Sequence, residues 1–235
     1  MSREIIEALE RVFSAESEIY RNRGFGRRMG FGQHPALLII DLGYGWTRPD
    51  NPFSCEDTDR IIAGVQELLA AGRRCGIPIV YTTTYYQVTE GPNTDMGLWH
   101  RKLPIEGLTA DSEDVEIDER IAPRAGEHLI VKKMASAFHG TNLTSLLNAA
   151  GVDTAIITGV AVAGCVRHTV EDALAEGFRP IVVGECVGDH VPGAVAWNLF
   201  DIDTRFGDVE SLQTVLGYLG GLAPAERELA AIERS

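Results

Sequence analysis

Five short runs of uninterrupted apolar or β-branched residues, each followed by a turn or a segment of helical spacing, constrain this chain more than any other feature. They are PALLIID from Pro35, IPIVYTTT from Ile77, HLIVKK over 128–133, TAIITGV from Thr154 and RPIVVG from Arg179. A strand with one wet face alternates polar and apolar residues, whereas a strand apolar throughout is covered on both sides. Such strands separated by helices imply the α/β class, a mostly parallel sheet with helices on both faces. Right-handed crossovers then set the gross path of the chain.

The intervening segments supply the helices. Ile5, Ile6, Leu9, Val12 and Phe13 fall on one side of an amphipathic helix ahead of the first strand. Ser54 and Asp57 resemble a capping box, and the apolar positions Ile61, Ile62, Val65, Leu68 and Leu69 carry that helix to about Arg74, where Gly76 and Pro78 stop it. Helices are also expected over Gly140–Ala150, from Cys165 to Glu176 and from Val209 to Leu219. Residues 87–127 show no strong period and are rich in proline, glycine and acids. A long segment of this kind is usually functional, so it is expected to cover something. With 235 residues and a 45% hydrophobic composition, the chain has enough material for one core. The expected division is an N-terminal helix and arm over 1–30, one main domain over 31–220 and a C-terminal tail over 221–235.

Acidic residues outnumber basic ones 34 to 21, and the net charge of -13 is spread along the chain. That balance argues against nucleic acid and anionic lipid as partners. MSREIIEALE lacks a basic region followed by an apolar run, and the stretch around Ala155–Val166 is too short for a bilayer. A cytoplasmic protein without a membrane anchor is expected. Cys55, Cys75, Cys165 and Cys186 lie far apart without a C-x-x-C pair, which argues against a disulfide framework and a zinc knuckle.

Three reactive residues stand where strands end: Asp41 after ALLII, Lys132 in HLIVK and Cys165 just past TAIITGV. In open parallel sheets ligands bind beyond the carboxyl ends of the strands, so all three would converge on one crevice. Cys165 also opens a helix, whose amide groups would favour thiolate. Asp41 would take the thiol proton, Lys132 would hold the charge, and backbone amides of the Gly159–Cys165 turn would bind an oxyanion. Each residue alone has an ordinary reading, as a turn cap, an inert core thiol or the buried member of the Lys132–Lys133 pair. Only their coincidence at strand ends is informative. A dyad of Cys165 with His168 and a zinc site at Cys165, Cys186 and His190 are rival readings, and the latter fits no established spacing. His139 reads as a pocket or loop residue.

IID at 39–41, KKMASAFHGTNL at 132–143 and TGVAVAGCVRHTVEDALAEGFRP at 158–180 resemble the isochorismatase-like cysteine hydrolases. GFGRRMGFG, NPFSC, DMGLW, DERIAP and WNLFDIDTRFGDVES add a resemblance to the N-carbamoylsarcosine amidohydrolase branch of that family. The resemblance implies a three-layer α/β/α fold with a six-stranded, mostly parallel sheet, a homo-oligomer (tetramer or dimer), and a triad of Asp41, Lys132 and Cys165. It implies a cis peptide between Val160 and Ala161, with Val160, Ala161 and Cys165 forming the oxyanion turn, and a pocket of Tyr44, Trp46, Phe138 and His190. The implied reaction is hydrolysis of a terminal ureido or amide C–N bond of a small molecule through a thioester, releasing ammonia, without a cofactor.

The related nicotinamidases hold a metal with aspartate and histidines, and over 85–100 no matching cluster of acid and histidines occurs, His100 being the one histidine there. The resemblance also exposes departures. His190 stands where an arginine is expected, Ala161 where a threonine is expected, and Tyr44 where a smaller polar residue is expected. Together they point to a less acidic, aromatic or larger amide. Isochorismate-cleaving relatives lack the nucleophilic cysteine, so Cys165 disfavours that chemistry. A binding module that has lost turnover is the remaining alternative.

Overall fold

The apolar runs form the interior of one sheet in the computed structural model, which describes residues 3–87, 95, 97–104 and 107–222. The expected tail beyond 222 and part of the 87–127 segment lie outside the described residues. The strands are β1 (Pro35–Ile40), β2 (Ile79–Thr84), β3 (His128–Lys132), β4 (Thr154–Gly159), β5 (Arg179–Val187) and β6 (Asp208–Glu210). They run parallel in the order β3-β2-β1-β4-β5-β6. The chain builds outward from β1 to β3 and then returns to lay β4 on the other side of β1. The carboxyl ends of β1 and β4 therefore flank a topological switch point, the usual ligand crevice of open α/β sheets.

Every residue of β1, β2 and β4 is buried, which is why these strands are apolar without alternation. Two cores result. On one face Leu37, Ile39, Tyr81 and Ile156 pack with Ile61, Val65 and Leu68 of the helix α3 (Thr58–Cys75) and with Val215 and Leu219 of α7 (Leu212–Gly220). On the other, Leu38, Ile40, Val80 and Ile157 meet Leu143 and Leu147 of α4 (Leu143–Ala149), Val170 of α5 (Arg167–Ala175) and Ile202 of α6 (Pro192–Arg205). The N-terminal helix α1 (Arg3–Asn22) lies along α6, with Phe13 stacked on Phe200 at 5.1 Å between ring centroids. The arm that follows is pinned to β6, where the Asp208 carboxylate accepts the Met29 and Gly30 amides.

Three expectations are corrected. The capping box at Ser54 does not form: α3 starts at Thr58 after Asp57, whose backbone is left-handed (φ 56°) and whose side chain caps nothing. Val209 and Glu210 belong to the edge strand β6 rather than to the last helix, since three residues are too short to show a period. Cys165 lies in a π-helical turn, Val162–Val166, one turn ahead of α5.

Gly159 ends β4 with φ 107°, and a Cβ built there would lie 2.0 Å from the Ile40 carbonyl oxygen. Backbone cannot yield as a side-chain tip can, and only glycine adopts such a φ without penalty. Gly159→Ala is expected to lower unfolding free energy by about 3 kcal/mol or more, read from urea melts. A loss under about 1 kcal/mol would contradict the tight β1–β4 approach.

Candidate active site

Asp41 follows β1 directly and is fully buried, with a left-handed backbone (φ 50°) that aspartate adopts more readily than most residues. Its environment comes from β2, where alternation puts Thr82 and Thr84 on one face. The Thr82 hydroxyl accepts the Asp41 amide at 3.2 Å and donates to Oδ1 at 2.7 Å, and the Thr84 hydroxyl lies 3.4 Å from Oδ2. Lys132, the last residue of β3, is equally buried and reaches across β2 to place Nζ 2.7 Å from Asp41 Oδ2. The same ammonium donates to Thr84 Oγ1 at 2.8 Å, the Met134 carbonyl at 3.2 Å and Cys165 Sγ at 3.2 Å. Burial by itself would push this ammonium down, but Asp41 and Cys165 beside it outweigh that and hold it above the ordinary lysine value. Lys133 takes the opposite face, paired with Asp95 at 2.9 Å.

Cys165 is delivered by the turn after β4, which contains a cis peptide between Val160 and Ala161. Most amides of this turn are already used. Val160 donates to the Ile40 carbonyl at 2.9 Å, Val162 to that of Gly188 at 2.7 Å and Gly164 to that of Ala161 at 3.0 Å. The Ala163 amide donates to Asp189 Oδ2 at 2.8 Å, while Asp189 Oδ1 accepts the His190 amide at 2.8 Å. Val160, expected among the oxyanion donors, is thus committed, which leaves the amides of Ala161 and Cys165 as the donors of the turn free of these partners. Asp189, buried and holding both ends of this loop pair, was not anticipated from sequence. The expected bias of Cys165 toward thiolate is opposed by its surroundings. Burial pushes the Cys165 thiol up to about 12; Lys132 pulls against this, and the Asp41 charge and its hydrogen bond to the thiol add to it. Position at a helix start does not compensate for desolvation.

Asp41 and Cys165 open onto a cavity of about 130 Å³. Of the expected pocket residues, Trp46 and His190 line it, together with Ala161 of the cis-peptide turn. Tyr44 does not: its hydroxyl accepts the Glu119 amide at 3.2 Å and its ring lies under Arg48 at 3.6 Å. Nor does Phe138, which is buried in the opposite core and stacks with Phe178 at 5.9 Å. Phe53, Thr84, Tyr86, Trp99, Leu103 and Leu108 complete the wall and were not singled out from sequence. The last three belong to the 87–127 segment, so the described part of that segment does cover the site. His168 turns away, its Nδ1 2.8 Å from the Gly164 carbonyl, and with His139 lines a separate cleft. Among the described residues no group of three or more histidines, cysteines or acids could hold a metal ion. No helix among the described residues is long and apolar enough to cross a membrane.

A family model described as Isochorismatase domain matches residues 35–214, so the chain belongs to the isochorismatase family. Within it the chain is an amidohydrolase, a hydrolase of the C–N bonds of linear amides. It is 52% identical to N-carbamoylsarcosine amidase of Arthrobacter sp. over 221 residues, 93% of this chain and 83% of that protein. It is 40% identical to maleamate amidohydrolase of Pseudomonas putida over 85% of this chain and 93% of that one. N-carbamoylsarcosine amidase from Thermoplasma acidophilum superposes with a TM-score of 0.64 at 25% identity, over 76% of this chain and 96% of that one.

Proposed function

We propose that Cys165 is the nucleophile, Asp41 the proton carrier and Lys132 the fixed cation of a hydrolase acting on a terminal ureido or primary amide group. The observation that carries this reading is one ammonium 2.7 Å from the Asp41 carboxylate and 3.2 Å from the Cys165 sulfur, at the carboxyl ends of the strands. Asp41 removes the thiol proton as Sγ attacks the substrate carbonyl, and Lys132 balances the negative charge that passes to sulfur. The amides of Ala161 and Cys165 take the oxyanion. Asp41 returns the proton to the leaving nitrogen, ammonia departs, and a thioester remains. Water deprotonated by Asp41 then attacks the thioester, returning the thiol and releasing the acid; a ureido substrate gives a carbamic acid that falls to carbon dioxide and an amine.

Ammonia release from N-carbamoyl amino acids, aliphatic amides and aromatic amides, run beside Cys165→Ala, tests the reading. No cysteine-dependent release from any of them would refute it. Because the resting sulfur is a thiol pushed up to about 12, its alkylation by iodoacetamide is expected to rise about tenfold per pH unit from about pH 7 to 10 without levelling. A plateau below about pH 9 would show a thiolate at rest instead. The reading also takes the chain as a cytoplasmic homo-oligomer, dimer or tetramer, supported by exposed Val12, Ile19 and Trp197 around α1 and α6. Light scattering on the purified chain distinguishes these from a monomer.

A further inference from the structure

The cavity wall and the bonding of its polar groups bear on the substrate beyond the scissile bond. Four aromatic rings, Trp46, Phe53, Tyr86 and Trp99, face the space with Leu103 and Leu108. Among the described residues no arginine or lysine lines it, and the undescribed stretches of the covering segment, 88–94, 96 and 105–106, contain neither residue. Lys132 cannot serve a second anion. Its three protons already face four acceptors, in Asp41, Thr84, Met134 and Cys165. Arg48 is stacked on Tyr44 and paired with Glu113 at 3.0 Å, away from the cavity lining. A substrate carboxylate would therefore join the Asp41 carboxylate in an apolar space that offers no free cation among the described residues, an arrangement that desolvation and like charge both oppose.

Of the other polar side chains on the wall, the Thr84 hydroxyl meets Lys132 and Asp41 and the Tyr86 hydroxyl donates to the Lys133 carbonyl, which leaves His190 beside the Trp46 and Trp99 indoles. Its Nδ1 lies 3.1 Å from the Ser54 carbonyl oxygen, with Cys55 Sγ at 3.9 Å. A carbonyl only accepts, so Nδ1 donates, and a ring that carries its one proton on Nδ1 presents a lone pair at Nε2. That lone pair at Nε2 receives an N–H or O–H and repels a carboxylate. Asp189 cannot reverse this, since both its oxygens are taken by the Ala163 and His190 amides.

We infer that His190 is a specificity-determining residue and that the site takes an uncharged amide or ureide whose distal end carries a hydrogen-bond donor, not a carboxylate. The inference rests on the proposed amidohydrolase site and adds the charge of the group flanking the cleaved bond. Its test is a matched pair, N-carbamoylsarcosine and its N-methylamide, which share the ureido group and differ in distal charge. At about pH 8 the methylamide is expected to exceed the acid in kcat/KM by about tenfold or more. His190→Arg is expected to reverse that order, because a guanidinium pairs with carboxylate in bidentate fashion. Calorimetric binding of both compounds to Cys165→Ala is read separately and does not depend on the arginine variant folding.

Preference for the acid by the wild type, or equal rates, overturns the inference and leaves the amidohydrolase reading intact. Preferential binding of the methylamide without turnover by the wild type supports the inference and counts against the assigned chemistry. Neither turnover nor preferential binding overturns both.

Discussion

Cys165→Ala is expected to lower ammonia release by at least about 10⁴-fold, with unfolding free energy changed by less than about 1 kcal/mol. The two halves of that expectation have separate causes. Among the described residues no other cysteine lines the cavity: Cys55 is occupied with the Phe53 carbonyl and His190, Cys186 is buried and Cys75 donates to the Leu219 carbonyl, both packed among α3 and α7 away from Asp41. Loss of the sulfur therefore leaves only orientation and oxyanion binding. Stability is nearly unchanged because the sulfur borders the cavity, and Lys132 keeps Asp41, Thr84 and the Met134 carbonyl as partners. Initial rates and a thermal melt on the same preparations check both. Retention of more than about a hundredth of the activity would mean that another group performs the attack.

Lys132→Met is expected to reach a similar activity floor and, unlike Cys165→Ala, to cost about 3–5 kcal/mol of stability. Asp41 and Lys132 are both fully buried, and their separation of 2.7 Å is the main compensation each has for leaving water. Removing the ammonium leaves a carboxylate held by the Thr82 and Thr84 hydroxyls and the Cys165 thiol, all neutral, with its desolvation largely uncompensated. The double variant Asp41→Asn/Lys132→Met removes both charges, so it is expected to recover most of the stability and none of the activity. Urea denaturation of the wild type, Lys132→Met, Asp41→Asn and the double variant gives the coupling energy. A single variant as stable as the wild type would mean that the pair is solvated or dispensable, contrary to its burial.

Much of this could be read along the chain because burial of a parallel strand on both faces is a local property. Asp41, Lys132 and Cys165 were found because each sits at the end of such a run, and strand ends converge by topology alone. Thr82 and Thr84 carried a fainter signal, two hydroxyls on one face at the end of an otherwise apolar strand. Trp99, Leu103 and Leu108 carried none, since an aperiodic segment does not disclose which of its side chains turn inward. Tyr44 and Phe138 show the converse error. Proximity in sequence to Asp41 or to Lys132 does not put a side chain in the cavity; Tyr44 is drawn off by the Glu119 amide and Arg48, and Phe138 packs under the sheet.

The sequence by itself determined the α/β class, the positions of five of the six strands and the three residues at the crevice, because hydrophobic burial writes itself into the order of residues. Tertiary structure alone decided which backbone amides of the turn are committed, which groups meet the Lys132 ammonium, and that among the described residues no uncommitted cation lines the cavity. Those are properties of hydrogen-bond competition among groups far apart in the chain. Asp189 on the Ala163 amide and Ser54 on the His190 ring are the examples here, each settled by a partner that no local pattern identifies.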